Sequence, residues 1–136
     1  MRTINEIIVH CTATPSGRDI GAAQIDVWHK ANGWNGIGYH YVVRLDGSIE
    51  TGRAEALAGA HCVGHNAHSI GVVYVGGLEA DGKTPADTRT PAQKEALVQL
   101  LRSLKERYPG AVIRGHRDFA AKACPCFDAT AEYRNV

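Results

Sequence analysis

The fold is decided by the stretch Ile4-Asn5-Glu6-Ile7-Ile8-Val9-His10-Cys11. Its apolar run, rich in Ile and Val, predicts a strand buried inside a sheet. Residues 69–75 read Ser-Ile-Gly-Val-Val-Tyr-Val before a Gly-Gly pair and predict a central strand of the same kind. A shorter run, Ala111-Val112-Ile113-Arg114, predicts the last strand. The chain therefore alternates buried strands with the segments that connect them.

Two helices and a hairpin are predicted between these strands. Asp19 is expected to cap the first helix, and Gly33 is expected to end it. The Asp46-Gly47 pair lies between two β-rich runs in residues 39–52 and predicts a hairpin. The segment Thr90-Pro91-Ala92-Gln93 matches a capping box that begins the second helix. The apolar faces expected for the two helices are Ala23, Val27 and Ala31 in the first, and Leu97, Leu100, Leu101 and Leu104 in the second.

The remaining segments are predicted as loops. Residues 12–17, 54–68 and 81–89 are turn-rich or lack periodicity, and a short helix is expected near the carboxyl end. Because strands and helices intermingle along the chain, the predicted fold class is α/β, with a central mixed β-sheet flanked by helices. The length fits one domain, residues 1–136.

Composition excludes several classes of function. The chain has 136 residues, with 15 Lys and Arg against 14 Asp and Glu and a formal net charge of +1. This balance argues against general nucleic-acid binding and against attachment to a membrane surface, and we expect a monomer. The amino-terminal residues do not match a signal peptide, and no apolar stretch reaches the roughly 18–20 residues of a membrane span. We therefore expect synthesis in a reducing cytosol, where cysteines are thiols or metal ligands.

Metal-binding residue types follow two of the predicted strands. His10 closes the first strand and His116 follows the last, so both imidazoles are expected at the same edge of one sheet. Cys124 comes eight positions after His116, in a loop able to fold back. Two imidazoles and one thiolate form the kind of three-ligand set that catalytic zinc uses, with a fourth position for water. The spacing therefore suggests one zinc site at the sheet edge.

A second group of histidines lies in the loop before the central strand. His61, His65 and His68 are close together in sequence and form either a second metal site or a substrate rim. A polar loop over the sheet is the favoured interpretation, because nothing in the sequence imposes tetrahedral geometry there.

An ordered series of short motifs runs through residues 4–128. The motifs are residues 7–14, Trp28-His29-Lys30, Gly33-Trp34, Gly38-Tyr39-His40-Tyr41, Asp46-Gly47, Gly52-Arg53, Gly59-Ala60-His61, Asn66, Ser69-Ile70-Gly71-Val72, Thr90-Pro91-Ala92-Gln93, Gly115-His116-Arg117 and Lys122-Ala123-Cys124-Pro125. In this order they resemble the type-2 N-acetylmuramoyl-L-alanine amidases, the zinc family that includes T7-type phage lysozymes and peptidoglycan recognition proteins. The similarity is closest to the small T7-like branch.

The resemblance implies a site and a reaction. It implies that His10, His116 and Cys124 hold one Zn²⁺, with Tyr39 and Lys122 as the catalytic pair beside it. The implied reaction is hydrolysis of the amide between the lactyl group of N-acetylmuramic acid and L-alanine of the peptidoglycan stem peptide. Tyr39 is expected either to orient the attacking water or to donate a hydrogen bond to the tetrahedral intermediate. Lys122 is expected to stabilise the oxyanion.

Other residues have less specific expectations. The resemblance also implies a groove with the zinc at its floor, at the edge of the sheet. His61 and Asn66 are predicted to line this groove and bind substrate. Trp28 and Trp34 are expected to pack at the helix end. Cys126, in the sequence Cys-Pro-Cys, departs from the family pattern. It is expected to substitute as a ligand, to protect the site by reversible oxidation, or to pack. Cys124 is taken as the ligand because it directly precedes the proline.

Three other functions compete with the amidase. The first is a non-catalytic peptidoglycan-binding module. The second treats Cys-Pro-Cys as a redox or metal-transfer motif, for which the signal is weak. The third is a thiol hydrolase that uses Cys11 or Cys62. For the amidase, we expect a phage or prophage endolysin that reaches the wall through holin-type release or lysis, or a cytosolic enzyme that recycles wall fragments.

Overall fold

The computed structural model describes residues 2–136, and its core is a mixed β-sheet. The strands are β1 (Glu6–Cys11), β2 (Thr14–Pro15), β3 (Tyr41–Val43), β4 (Ile49–Thr51), β5 (Ser69–Tyr74), β6 (Gly77–Leu78) and β7 (Val112–Gly115). The α-helices of this part of the chain are α1 (Ala22–Ala31), α2 (Pro91–Arg107) and α3 (Ala129–Glu132), and single 3₁₀ turns cover Asn66–His68 and His116–Asp118.

The sheet has the order β4-β3-β5-β1-β7. Strand β1 is parallel to both of its neighbours, β5 and β7, and β3 is parallel to β5. Strand β4 pairs antiparallel with β3 as the predicted hairpin. The predicted α/β class and mixed sheet are therefore confirmed. The loop predicted over residues 12–17 is wrong at Thr14 and Pro15, because they form a small parallel pair with Gly77 and Leu78.

Both faces of the sheet are buried, which explains the continuous apolar runs in β1 and β5. Alternate residues of β5 divide between two cores: Val72 and Tyr74 pack with α2, and Val73 packs on the opposite side with Ile25 of α1. The same alternation places Ile7, Val9 and Cys11 of β1 on the α2 side. Glu6, Ile8 and His10 consequently lie on the other face of that strand.

Helix α2 forms as predicted. The Thr90 hydroxyl accepts a hydrogen bond from the Gln93 backbone N–H at 3.1 Å, and the Gln93 side chain accepts from the Thr90 N–H at 2.9 Å. These two bonds are the predicted capping box. The four predicted leucines are buried against the sheet, and the exposed fractions are 0% for Leu97, Leu101 and Leu104 and 8% for Leu100.

Helix α1 differs from its prediction at its start. It begins at Ala22 without a side-chain cap of its own, and Asp19 instead pairs with Arg44 at 2.8 Å. The Ala22 backbone N–H donates to the Glu50 carboxylate at 2.8 Å, so a side chain from the neighbouring hairpin caps the helix in place of Asp19. The predicted end is confirmed, because Gly33 follows the helix with φ of +86°, a conformation that favours glycine.

The predicted apolar face of α1 is wrong. Ala23, Val27 and Ala31 are all exposed, with Val27 at 60%, whereas Ile25 is only 2% exposed. Trp28, one turn after Ile25, is partly buried against the same core. The physical reason is that one large aliphatic side chain gains more from burial than alanines do, so Ile25 decides which face is buried.

No helix within residues 2–136 is long and apolar enough to cross a membrane.

A matched pair of truncations on α1 tests which face is buried. Ile25→Ala should lower the free energy of unfolding by about 2–5 kcal/mol, because it leaves a cavity in the core. Val27→Ala should change it by less than about 0.5 kcal/mol, because that side chain is in solvent. Urea unfolding followed by circular dichroism measures both values. Similar losses in the two variants would contradict the assignment of the buried face.

Candidate metal centre

The two predicted strand-end histidines meet at the carboxyl edge of the sheet. Val9 of β1 lies opposite Gly115 of β7 in the parallel register, so the next residues, His10 and His116, emerge side by side. Their Nδ1 atoms lie 3.2 Å apart. His10 is almost completely buried, with an exposed fraction of 1%.

The Cys124 sulfur completes this group from the loop after β7. It lies 3.9 Å from His10 Nδ1, and the ligand atoms of His10, His116 and Cys124 all fall within 4.8 Å of one another. Two ligands held about 2.1 Å from a tetrahedral ion lie about 3.4 Å apart, which is close to these separations. The structure thus brings the three predicted ligands together into a group that can hold a metal ion.

Cys11 favours the thiolate form of Cys124. The Cys11 thiol and, at 3.2 Å, the Cys11 backbone N–H both donate toward Cys124 Sγ, and they lower the pKa of that thiol although burial opposes the shift. The bond to Cys124, followed by burial, raises the pKa of the Cys11 thiol itself. A lowered pKa suits a ligand, because metals bind the thiolate.

Cys126 points elsewhere. Its sulfur lies 3.8 Å from Cys11 Sγ and 3.3 Å from the Gly77 carbonyl oxygen, and it is not part of the ligand group. Burial raises the pKa of Cys126 to about 12. Of the expectations for Cys126, packing against Cys11 agrees with these contacts.

His61 contacts the candidate ligand His10 directly. The His61 Nδ1 atom lies 2.8 Å from His10 Nε2, and the His61 Nε2 atom lies 3.2 Å from Ser69 Oγ. Burial lowers the pKa of His61 to about 3, and burial together with the neighbouring His61 and His116 lowers that of His10. These imidazoles are therefore neutral at ordinary pH, as metal binding and a relay of hydrogen bonds both require.

Two residues that support His61 were not anticipated from the sequence. Ser69 accepts or donates at the far nitrogen of the ring, and Gly71 lies beneath it. A Cβ atom at Gly71 would lie 2.6 Å from His61 Cδ2, so only glycine leaves room for the imidazole. A glycine inside an otherwise β-branched strand is the signal that indicates such a close approach.

Tyr39 and Lys122 lie beside the ligand group. The Tyr39 ring centroid is 5.0 Å from that of His10, and burial raises the pKa of the Tyr39 hydroxyl. Lys122 is exposed. Burial and the positive charge of Lys122 lower the pKa of His116, and the two side chains line the same groove.

An open groove lies above the ligand group. Its lining includes five predicted site residues, and the remaining lining residues come from α1, the segment after it and the loop before β5. The groove residues are His29, Trp34, Tyr39, Ala60, His61, Cys62, Val63, Asn66, His116 and Lys122. Trp28 packs against the core, and Trp34 contacts the His29 ring at the end of α1 with 4.7 Å between the ring centroids, while 44% of its surface is exposed at the groove.

Asn66 holds the loop that forms one wall of the groove. Its side-chain oxygen accepts hydrogen bonds from the backbone N–H groups of His61 and Cys62, each at 2.9 Å. Asn66 therefore supports the position of His61 as well as lining the groove.

The histidine group predicted in this loop is divided in the structure. His61 turns toward His10, whereas His65 and His68 turn toward Glu6 at the other end of β1. The sequence interpretation treated the three as one set. A turn closed by the hydrogen bond from the His65 backbone N–H to the Cys62 carbonyl oxygen, at 3.0 Å, lies between His61 and the other two histidines.

The thiol-hydrolase alternative is disfavoured by these surroundings. Cys11 and Cys62 are 4% and 3% exposed. Burial raises the pKa of Cys62, and the Glu6 carboxylate adds to the shift. A nucleophilic cysteine needs a lowered pKa, and the pKa of each of these nearly buried thiols is raised instead.

Comparison with known proteins places this site in a family. The profile of the N-acetylmuramoyl-L-alanine amidase family matches residues 1–127. The endolysin of Klebsiella phage KP32 is 48% identical over 124 residues, which are 91% of this chain and 82% of the relative. The endolysin of Escherichia phage T7 is 47% identical over 122 residues, covering 90% and 80%. The solved structure of the amidase LysC from Clostridium intestinale URNW superposes with a TM-score of 0.81 at 31% identity, covering 97% of this chain and 83% of that one.

The chain belongs to the N-acetylmuramoyl-L-alanine amidase family. Its phage relatives are endolysins, so the predicted resemblance to T7-type lysozymes is confirmed. The predicted activity of an amidase endolysin is confirmed by the same matches.

Proposed function

We propose that this amidase holds one Zn²⁺ on His10, His116 and Cys124 and cleaves the bond between the lactyl group of N-acetylmuramic acid and L-alanine in peptidoglycan. The observation that carries the proposal is the convergence of two neutral imidazoles and an acidified thiol within 4.8 Å, under an open groove. A donor set of two nitrogens and one sulfur suits zinc. When bound there, the ion supplies a Lewis acid and lowers the pKa of water.

The contacts of His10 define which nitrogen is free to bind. Its Nδ1 atom faces His116 and Cys124, so this nitrogen is the ligand atom and Nε2 carries the hydrogen. The Nε2–H group then donates to His61 Nδ1, and His61 donates in turn to Ser69 Oγ. This chain orients the His10 ring and holds the neutral tautomer that a ligand needs.

Tyr39 is proposed as a hydrogen-bond donor beside the reacting carbonyl group. The raised pKa keeps its hydroxyl protonated at neutral pH, so it donates and does not compete as an anion. Because the ring lies against His10 and lines the groove, the phenol is held close to the ligand group. It is placed either to orient the attacking water or to stabilise the tetrahedral intermediate.

Lys122 is proposed as the oxyanion stabiliser. Its ammonium lines the groove near His116, and its position two residues before Cys124 ties it to the same loop. A positive charge held where negative charge develops lowers the energy of the transition state more than that of the ground state.

His61 and Asn66 are proposed to contact the muramyl group or the stem peptide, because both line the groove. Their side chains also support the site, His61 through His10 and Asn66 through the loop backbone. A hydrolase that binds its peptidoglycan substrate in a groove needs no strongly basic surface, which agrees with a net charge of +1.

We further propose that residues 1–136 act as one catalytic domain, that the protein works as a monomer and that it reaches the wall through lysis. Met1, the first residue of that domain, lies outside the described residues. A non-catalytic binding module is the alternative. It is less well supported, because the ligand cysteine, Tyr39 and Lys122 are all assembled at one groove.

The reaction is tested by digestion of purified peptidoglycan. We expect new N-terminal alanine, measured by amine labelling, without new reducing sugar ends. Cys124→Ser serves as the inactive control. Reducing ends without free alanine would identify a glycosidase and contradict the proposal, and binding without any product would favour the alternative.

The ligand assignment is tested by a pair of cysteine variants. Cys124→Ser should lose most of the bound zinc, because a hydroxyl is a poor replacement for a thiolate ligand. Cys126→Ser should retain about one zinc per chain, because its sulfur points toward Cys11 and Gly77. Atomic emission on dialysed protein measures the metal. The opposite pattern would make Cys126 the ligand.

The catalytic pair is tested by variants that leave the metal in place. Tyr39→Phe and Lys122→Met should each lower kcat by about 100-fold or more, the scale expected for loss of one donor or charge at the transition state. Zinc content should stay at the wild-type level. Lys83→Met, which changes another exposed lysine, is the control and should keep full activity. Wild-type kcat in Lys122→Met would show that this lysine is a solvent-exposed residue without a catalytic role.

A further inference from the structure

A second group of metal-binding side chains lies at the other end of β1. Glu6 begins that strand, and His65 and His68 come from the end of the loop that precedes β5. The Glu6 Oε1 atom lies 2.8 Å from His65 Nδ1 and 3.2 Å from His68 Nε2. All three ligand atoms fall within 4.8 Å of one another.

This group is separate from the catalytic centre. Glu6 and His10 lie on the same face of β1 but are four residues apart, which is about 13 Å along a strand. No side chain belongs to both ligand groups among the residues that the structure describes. Because the three ligand residues lie outside the groove, the proposed hydrolysis does not require them.

The three side chains are held by rigid elements. Glu6 lies opposite Ser69 in the β1–β5 register, and the backbone N–H of Asn5 donates to the His68 carbonyl at 2.9 Å. The His65 ring stacks on Phe119 with 3.9 Å between the ring centroids, which fixes the plane of the imidazole. Ligands whose rotamers are held in this way lose little freedom when an ion binds.

Spacing and exposure both suit an ion. Ligand atoms bound at about 2.1 Å lie about 3.0–3.4 Å apart in octahedral or tetrahedral geometry, and the separations of 2.8 Å and 3.2 Å from Glu6 Oε1 are close to this range. The side chains of Glu6, His65 and His68 are 17%, 27% and 38% exposed, so an ion from solvent reaches them and water can complete its coordination.

We propose that Glu6, His65 and His68 form a second metal site, which binds a divalent transition-metal ion of the Zn²⁺ class through two imidazoles and one carboxylate. Such N₂O donor sets suit zinc and its neighbours better than calcium or magnesium, which prefer oxygen. The ion joins β1 to the end of the loop that carries His61 and Asn66, and so it stabilises a wall of the groove. This inference does not rest on the proposed mechanism.

The experiment adds Co²⁺ to enzyme that already carries one Zn²⁺ per chain, followed by calorimetry and by visible absorption. We expect one further equivalent to bind, with cobalt absorption but without a thiolate-to-cobalt charge-transfer band, because the second site contains no sulfur. Glu6→Gln and His68→Asn should each weaken this binding at least tenfold, since each removes one of three ligands. Glu79→Gln, at an exposed position, should bind as the wild type does.

Three results would overturn the proposal. The first is that wild-type enzyme binds no second equivalent of Co²⁺. The second is that either ligand variant binds the second equivalent with an affinity within threefold of wild type. The third is a charge-transfer band, which would show that the added ion has entered the Cys124 site. The folding of both variants is checked by amidase activity, which needs only the first site. Loss of the Cys124 metal with retention of the second would count against the proposed catalytic centre alone.

Discussion

The parallel pairing of β1 between β5 and β7 is the constraint on which the rest of the structure depends. It places β1 inside the sheet, where the packing on both sides of the sheet buries its faces, so the strand must be apolar almost throughout. It also sets the register that brings His10 beside His116. A buried imidazole requires polar partners. His10 Nε2 contacts His61, and His10 Nδ1 contacts His116.

Strand β1 supplies different chemistry on its two faces. His10 turns toward the groove, while the next residue, Cys11, turns toward α2. The backbone N–H of Cys11 donates to the Cys124 sulfur, and the Cys11 sulfur contacts the Cys126 sulfur. The two cysteines of the Cys-Pro-Cys segment are thereby divided: Cys124 faces the ligand group, and Cys126 packs beneath it. The same strand begins at Glu6, whose carboxylate contacts His65 and His68, the two histidines of the loop before β5 that turn away from the candidate metal centre.

The sequence predicted most reliably those features that a single strong physical term decides. The apolar strands, the Thr90 capping box and the leucine face of α2 could be predicted because burial and capping act locally. His10 and His116 could be predicted as neighbours because parallel strands end at one edge. The cap of α1 could not, since its acceptor, Glu50, comes from a distant hairpin.

Other features depend on contacts that have no local signal. The buried face of α1 was predicted from the spacing of Ala23, Val27 and Ala31, although Ile25 and Trp28 are the side chains that pack against the core. The division of His61 from His65 and His68 follows from the turn between Cys62 and His65 and from the position of Glu6, which is about sixty residues away in sequence. Trp34 contacts His29 at the end of α1, and its position in the groove depends on the path of the chain after that helix, for which the sequence has no local signal.

The central claim is that β1, β7 and the following loop together build a centre of two imidazoles and one thiolate. X-ray absorption spectroscopy at the zinc edge, on enzyme loaded with one Zn²⁺ per chain, measures this donor set directly. The account predicts one sulfur and two imidazole nitrogens bound to the ion, with a light atom from solvent as the fourth ligand. A spectrum with two sulfurs, or with none, would contradict it.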